Sequence, residues 1–236
     1  MIKKIPTNYK FITINAVGGL NNKLRVLLSY LHEYNEGKYP NKKLRIIWIK
    51  GDDCPDIFSN LFEPIENVEL IYNTDNIYRN YIYTTTTFEI NKEYINKKYY
   101  NLLKPIKLIQ DNIDMVKNEL GDEYIACHIR RTDMIQLYSR LKLKYNQDDE
   151  YIDFINSCPT DLKIYIATDN NITQEKFIKL YPNRIIFKKI TNSKNSNLRQ
   201  TSLHDAVKDI YVCAGAKYFM GSIYSSFSNT INYLRQ

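Results

Sequence analysis

The chain is poor in the residues that staple or bend unusual architectures. Its 236 residues include four cysteines, three histidines, one tryptophan, and seven each of glycine and proline. Cys54, Cys127, Cys158 and Cys213 lie far apart, with no CxxC pair and no histidine at metal-ligand spacing. That excludes a zinc module and a disulfide framework, and it predicts reduced thiols, mostly in the core. No apolar run approaches the roughly 20 residues that span a bilayer, and the basic start Met1-Ile2-Lys3-Lys4 leads into no apolar segment. The expectation is a soluble cytoplasmic protein of bacterial or viral type, without a membrane span. At 44% hydrophobic and 25% charged residues, disorder is excluded as well.

What is abundant is Lys, Asn, Ile and Tyr, the bias of an AT-rich coding sequence. The net charge of +7 suits an anionic partner, whether nucleic acid, anionic lipid or a phosphorylated small molecule. Lys and Tyr are scattered, however, and form no basic stripe with interleaved aromatics. No nucleic acid partner is expected, and a non-enzymatic nucleic-acid-binding module stands only as an alternative.

Along the chain, strand and helix signals alternate. Phe11 to Ile14 reads as a strand that ends near Gly18-Gly19, after which Leu20, Leu24, Leu27, Leu28 and Leu31 fall at helical spacing. Leu44 to Ile49 and Val68 to Tyr72 repeat the strand signal, and the stretch from Asn73 to Tyr100 is irregular. Pro105 opens a helix that Gly121 closes, and Tyr124 to Ile129 is a buried-type strand running straight into Arg130-Arg131. Further strands are predicted at Leu162 to Ala167, Arg184 to Phe187 and Lys217 to Met220, with helices between them and a last helix from Ser226. Thr191 to Gln200 carries no structure signal and is a candidate lid or substrate loop. The pattern predicts an α/β protein with mainly parallel sheets, divided into residues 1–104 and 105–236.

In open parallel sheets, ligands bind beyond the carboxyl ends of the strands. Four polar clusters are predicted there: Gly18 to Lys23, His128 to Asp133, Thr168 to Asn170, and Gly221 to Ser228. The sharpest is His128-Ile129-Arg130-Arg131-Thr132-Asp133. Two adjacent guanidinium groups repel each other unless an anion or carboxylates relieve them, and Arg presents a fixed fork of donors to phosphate oxygens. A nucleotide diphosphate is the natural anion, and a salt bridge to Asp133 or another acid is the structural alternative.

This segment resembles the HxRRxD motif of the α1,2-, α1,6- and protein-O-fucosyltransferase superfamily. Gly18-Gly19-Leu20-Asn21-Asn22-Lys23-Leu24 resembles its glycine-rich first loop. Ile164 to Asn170 resembles its strand ending in a Thr-Asp-Asp-like triplet, and Ser225-Ser226-Phe227-Ser228 resembles its last motif. The C-terminal half looks closest to the nodulation and core α1,6-fucosyltransferases. The resemblance implies a GT-B-like fold of two facing Rossmann-like lobes, the C-terminal one binding the nucleotide sugar.

It further implies an inverting transfer of fucose from GDP-fucose to a hydroxyl on a glycan or glycoconjugate acceptor. No cofactor is called for beyond the nucleotide-sugar donor. Arg130 would hold the β-phosphate of the departing GDP, with Arg131 supporting the same region or pairing with Asp133. His128 and Asp169 would face the nucleotide, Asp169 accepting guanine N–H groups or else only capping the helix after it. Gly18, Gly19 and Asn22 would approach the donor, with Thr168 and Asn170 flanking Asp169. Ser225, Ser226 and Ser228 would donate to phosphate at a helix N-terminus, unless Ser226 is only its cap. Met134 and Tyr138 stand where the α1,6 enzymes have Lys and a Glu proposed as base, so that base does not carry over. Asp133 is then the nearest candidate. Two arginines can neutralise a diphosphate, and no Asp-x-Asp pair is present, so metal independence is expected. A UDP- or dTDP-linked deoxysugar is the alternative donor.

Overall fold

The computed structural model describes residues 10–73, 82–85, 97–132, 138, 140–187 and 201–235. The chain forms two compact units, one ending at Ile106 and the other spanning Lys107–Arg235.

In the first unit, β1 (Phe11–Ala16) leads through a glycine turn into α1 (Leu20–Asn35). Gly18 makes that turn at φ +86°, a left-handed conformation that glycine adopts without steric cost. β2 (Lys43–Ile47), β3 (Val68–Ile71) and β4 (Ile82–Thr85) complete a parallel sheet of order β3-β2-β1-β4. The irregular reading of 73–100 therefore misses β4, whose residues pair in register with β1 from Thr13↔Ile82 to Ala16↔Thr85. Ile-Tyr-Thr-Thr is rich in β-formers, but its polar tail hides an alternation too short to register. The single tryptophan, Trp48, is fully buried edge-on against Phe58, their ring centres 5.4 Å apart. A short helix, α2 (Lys97–Tyr100), follows.

The second unit opens with α3 (Lys107–Leu120) and β5 (Tyr124–Ile129), all six of whose residues are buried. α4 (Asp148–Asn156), β6 (Lys163–Thr168), α5 (Asn171–Leu180) and β7 (Ile185–Ile186) follow. α6 (Leu203–Gly215), β8 (Tyr218–Met220) and α7 (Ser226–Arg235) end the chain. The sheet order is β7-β6-β5-β8, all parallel, so β5 and β6 lie in its centre with their carboxyl ends side by side. Under them Ile125, Cys127, Ile129, Tyr151, Ile155 and Phe177 form a close-packed core. The four cysteines are all buried thiols. Among the described residues, no helix is long and apolar enough to cross a membrane.

Phe177 reaches from α5 into the core that supports both strand ends. Phe177→Ala should cost ~3–5 kcal/mol, since a large buried side chain leaves a cavity its neighbours fill only in part. Urea unfolding followed by circular dichroism measures this, and a loss below ~1 kcal/mol would show that the strand ends do not depend on this core.

Candidate functional site

Where a parallel strand ends, its next N–H groups lose their ladder partners, and in a buried setting something else must accept them. At the end of β5 the Arg130 N–H donates to Ser222 Oγ at 2.8 Å, and the Arg131 N–H donates to Asp169 Oδ1 at 2.8 Å. Ser222 comes from the turn after β8, and Asp169 from the turn after β6. Ser222 Oγ in turn donates to the His128 carbonyl at 3.0 Å, and the Tyr151 hydroxyl lies 2.8 Å from it. Thr168 Oγ1 donates to the Ile129 carbonyl at 2.8 Å. The segment 128–131 is thus held from both sides by neighbouring strand ends.

The side chains follow from this frame. Asp169 Oδ2 accepts from Thr132 Oγ1 at 2.5 Å and stands 3.2 Å from Arg130 Nε, an ion pair almost shielded from solvent. Both Asp169 oxygens are therefore turned on residues 130–132. The cap of α5 is not Asp169 but the next residue: Asn170 Oδ1 accepts the Thr173 N–H at 2.9 Å. Arg131 is buried, and its guanidinium donates to Asp148 Oδ1 at 2.5 Å and to the Asn146 carbonyl at 3.1 Å. Asp133 lies outside the described residues, so the Arg131 partner on view is Asp148, at the start of α4. Lys176 also reaches Asp148, at 2.7 Å. Burial raises the Asp148 pKa, but hydrogen bonds from Lys176 and Arg131 outweigh it and hold the carboxyl below its ordinary range.

His128 is nine-tenths buried, its ring stacked on Phe227 with centroids 4.4 Å apart and Nδ1 2.7 Å from Ser228 Oγ. Burial, with the Arg130 charge adding to it, pushes its pKa down from 6.5 to about 3. The ring is neutral at neutral pH. Ser228 thereby joins β5 to α7. Its N–H points to Ser225 Oγ at 3.4 Å, which makes Ser225 the cap and leaves Ser226 at the first helical position. Only glycine fits at position 221, because a Cβ there would stand 2.7 Å from both Ser228 Cβ and Oγ.

In the first unit, Gly19 precedes α1 in an extended conformation, with no side chain capping the helix. Asn22 Oδ1 accepts from Arg25 at 3.1 Å. Its neighbour Asn21 is buried, and among the described residues Asn21 Oδ1 has no hydrogen-bond partner. The Lys23 ammonium donates to the Ile49 carbonyl and lies 5.2 Å from the Trp48 ring centre. Burial lowers its pKa, with the charges of Cys54 and Asp53 opposing.

The structure thus brings together His128, Arg130, Arg131, Thr168, Asp169, Asn170, Ser225, Ser226 and Ser228 on three adjacent strand ends of one unit. Gly18, Gly19 and Asn22 lie in the other. The candidate loop Thr191 to Gln200 falls outside the described residues. Sequence reasoning missed Tyr151, Asn146 and Asp148 and did not single out Ser222 within its cluster; these side chains act at the site from up to 94 residues away in the chain. Among the described residues, no group of three or more His, Cys, Asp or Glu side chains is placed to hold a metal ion.

Residues 73–236, which carry the Arg130 segment and everything that pins it, match the family model of the GDP-fucose protein O-fucosyltransferases. The chain belongs to that family. It is therefore a glycosyltransferase, and the non-enzymatic alternative is set aside. Solved fucosyltransferases share the fold. NodZ from Bradyrhizobium superposes with a TM-score of 0.62 at 15% identity, over 96% of this chain and 94% of that one. A NodZ α1,6-fucosyltransferase crystal soaked with GDP-fucose gives 0.61 at 15%, over 95% and 93%. POFUT1 in complex with GDP gives 0.66 at 10%, over 98% and 96%. The expected GT-B class of α/β fold with parallel sheets is thereby met. No curated protein matches the fucosyltransferase-family chain by sequence.

A depressed His128 pKa ties stability to pH. Above about pH 6.5 both folded and unfolded chains hold the imidazole neutral, and below it only the unfolded chain takes up the proton, until the folded pKa near 3 is passed. Stability should therefore fall as pH drops through that window. Melting temperatures recorded across it should decline from the upper edge in the wild type. His128→Asn should remove the decline above about pH 5, leaving only carboxylate titration. A wild-type profile flat down to the carboxylate range would contradict a buried neutral imidazole.

Proposed function

We propose that the protein transfers fucose from GDP-fucose to a hydroxyl acceptor, with inversion at the anomeric carbon and without a metal ion. The observation that carries this is Arg130, whose backbone is held on both sides of its Cα and whose nearly buried guanidinium is oriented through Nε. Its N–H is bound by Ser222, its Nε faces Asp169, and the following N–H is bound by Asp169. Fixing Nε sets the plane of the guanidinium, which is the plane in which a bidentate fork meets phosphate oxygens.

As the glycosidic bond to the diphosphate lengthens, positive charge grows on the sugar and negative charge on the leaving phosphate. Arg130 stabilises the latter. Removing one such preorganised donor costs on the order of 100- to 1000-fold in rate. Arg130 pairs with Asp169, and Arg131 and Lys176 share Asp148, so the cations of this strand end are gathered beside the position proposed for the diphosphate. His128, neutral, adds no charge to them. Guanidinium groups taking the part of a metal support the reading of metal independence.

Asp169 serves as a positioning residue for Arg130, and its engagement with residues 130–132 argues against a role in reading guanine. Arg131 is the strut that fastens the segment to α4 through Asp148. Asp133, three residues beyond Arg130, remains our candidate for the base that takes the acceptor proton. The glycine loop with Asn22 serves the donor sugar and phosphate, and Ser225 and Ser226 the phosphate end. The four buried thiols suit a reducing compartment and support a cytoplasmic location. The acceptor is a glycan or glycoconjugate.

Thermal shift against a nucleotide panel tests the donor. GDP at 100 times its Kd should stabilise the protein by about 2.7 kcal/mol, and UDP and dTDP should leave the melting temperature near that of the free protein. Turnover of GDP-fucose should survive EDTA. Equal stabilisation by UDP would move the reading to another nucleotide sugar. Activity lost to chelator and restored by Mn²⁺ would refute metal independence.

A further inference from the structure

Asn146 is a buried amide in the chain between β5 and α4, and its side chain meets two different neighbours. Its Oδ1 accepts the Ile223 N–H at 2.8 Å, and its Nδ2 donates to Glu150 Oε2 at 3.1 Å. A backbone N–H only donates and a carboxylate only accepts, so a single orientation of the amide satisfies both. The Asn146 carbonyl, in turn, accepts from the Arg131 guanidinium at 3.1 Å. One residue thus touches the arginine pair, the first turn of α4 and the turn that follows β8.

That turn carries two of the groups on which the site depends. Ser222 holds the Arg130 N–H, and Ser225, three residues later, caps α7. Ile223, between them, is fastened at both of its polar groups to the chain that follows the arginines. Its N–H goes to Asn146 and its carbonyl to the Tyr138 hydroxyl, each at 2.8 Å, and both partner side chains are buried. The contacts close on themselves: Arg130 to Ser222, Ile223 to Asn146, and Asn146 back to Arg131. The spacing between Arg130 and the N-terminus of α7 is therefore set by hydrogen bonds on either side of Ile223.

On the reading of the donor given above, we infer that Asn146 is a positioning residue for the transfer. It holds the turn after β8 in register with Arg130, so that Arg130 and the N-terminus of α7 meet the same diphosphate. It acts through Ile223 and Arg131 and not on the substrate. A displacement of about 1 Å caused by a residue remote from the chemistry can cost on the order of 100-fold in rate. Ground-state binding of the nucleotide suffers less, because these contacts strengthen only as charge builds on the leaving phosphate.

The test measures kcat and KM for GDP-fucose in the full chain, per folded molecule and well below the melting temperature. Asn146→Leu keeps the shape of the side chain and removes both of its hydrogen bonds. Its kcat should fall by about 10- to 100-fold with KM close to wild type. When Asn146→Asp is combined with Glu150→Gln, the two groups exchange roles. The introduced carboxylate still accepts the Ile223 N–H, and the introduced amide donates to it while keeping the capping box of α4. The paired variant should recover most of the lost kcat. Wild-type kcat in Asn146→Leu, with only the melting temperature lowered, overturns the inference. So does a paired variant no faster than Asn146→Leu, and so does a loss that lies wholly in KM. If Asn146→Leu does not fold, Tyr138→Phe releases the Ile223 carbonyl and keeps the ring. It must then show the same fall in kcat at constant KM, and wild-type turnover there overturns the inference. A wild-type protein that fails to turn over GDP-fucose refutes the donor reading first, and the positioning role with it.

Discussion

Asp169 is the point on which the site depends. A single carboxylate at the end of β6 accepts the Arg131 N–H and the Thr132 hydroxyl and pairs with the Arg130 guanidinium. Without it, a buried N–H would lose its acceptor and a nearly buried cation would lose a carboxylate, and each loss is costly where water cannot substitute. Ser222 plays the matching part from the β8 side, taking the Arg130 N–H and giving its own proton to the His128 carbonyl. Parallel pairing of β5 with both β6 and β8 puts those turns on either side of residues 128–131. The topology therefore decides which distant side chains can act there.

The same frame separates the two arginines. Arg131 is buried, bonded to Asp148 and to two carbonyls, and sits between the rings of Tyr145 and Tyr151. Taking a cation out of water is tolerated only when such partners surround it. Arg130 keeps its backbone fixed and its Nε paired. Arg131 is thus bound within the fold on every side described, while Arg130 is held through its backbone and Nε.

Much of this was legible in the sequence because strand ends are. The buried-type run Tyr124 to Ile129 stops at the arginines, and Leu162 to Ala167 stops at Thr168 and Asp169, close to where the strands end. The capping alternatives offered for Asp169 and Ser226 fall one residue off, the caps being Asn170 and Ser225. Asp, Asn and Ser are all good caps, and neighbouring members of a polar cluster compete on equal terms. The partners that hold the arginines were not legible. In the sequence Asp148 stands directly before Asp149 and Glu150, Tyr151 is one tyrosine among 21, and Ser222 falls in the turn after a short strand. Nothing local marks a contact made across 17, 23 or 92 residues.

The central claim is that Arg130 stabilises the departing diphosphate, and Arg130→Lys addresses it most directly. Lysine keeps the charge but cannot hold Asp169 through a fixed Nε while forking onto phosphate oxygens. Turnover of GDP-fucose should fall by ~100- to 1000-fold, with circular dichroism close to wild type and GDP affinity reduced far less than the rate. An Arg130→Lys enzyme with wild-type turnover would show that the guanidinium is only the partner of Asp169.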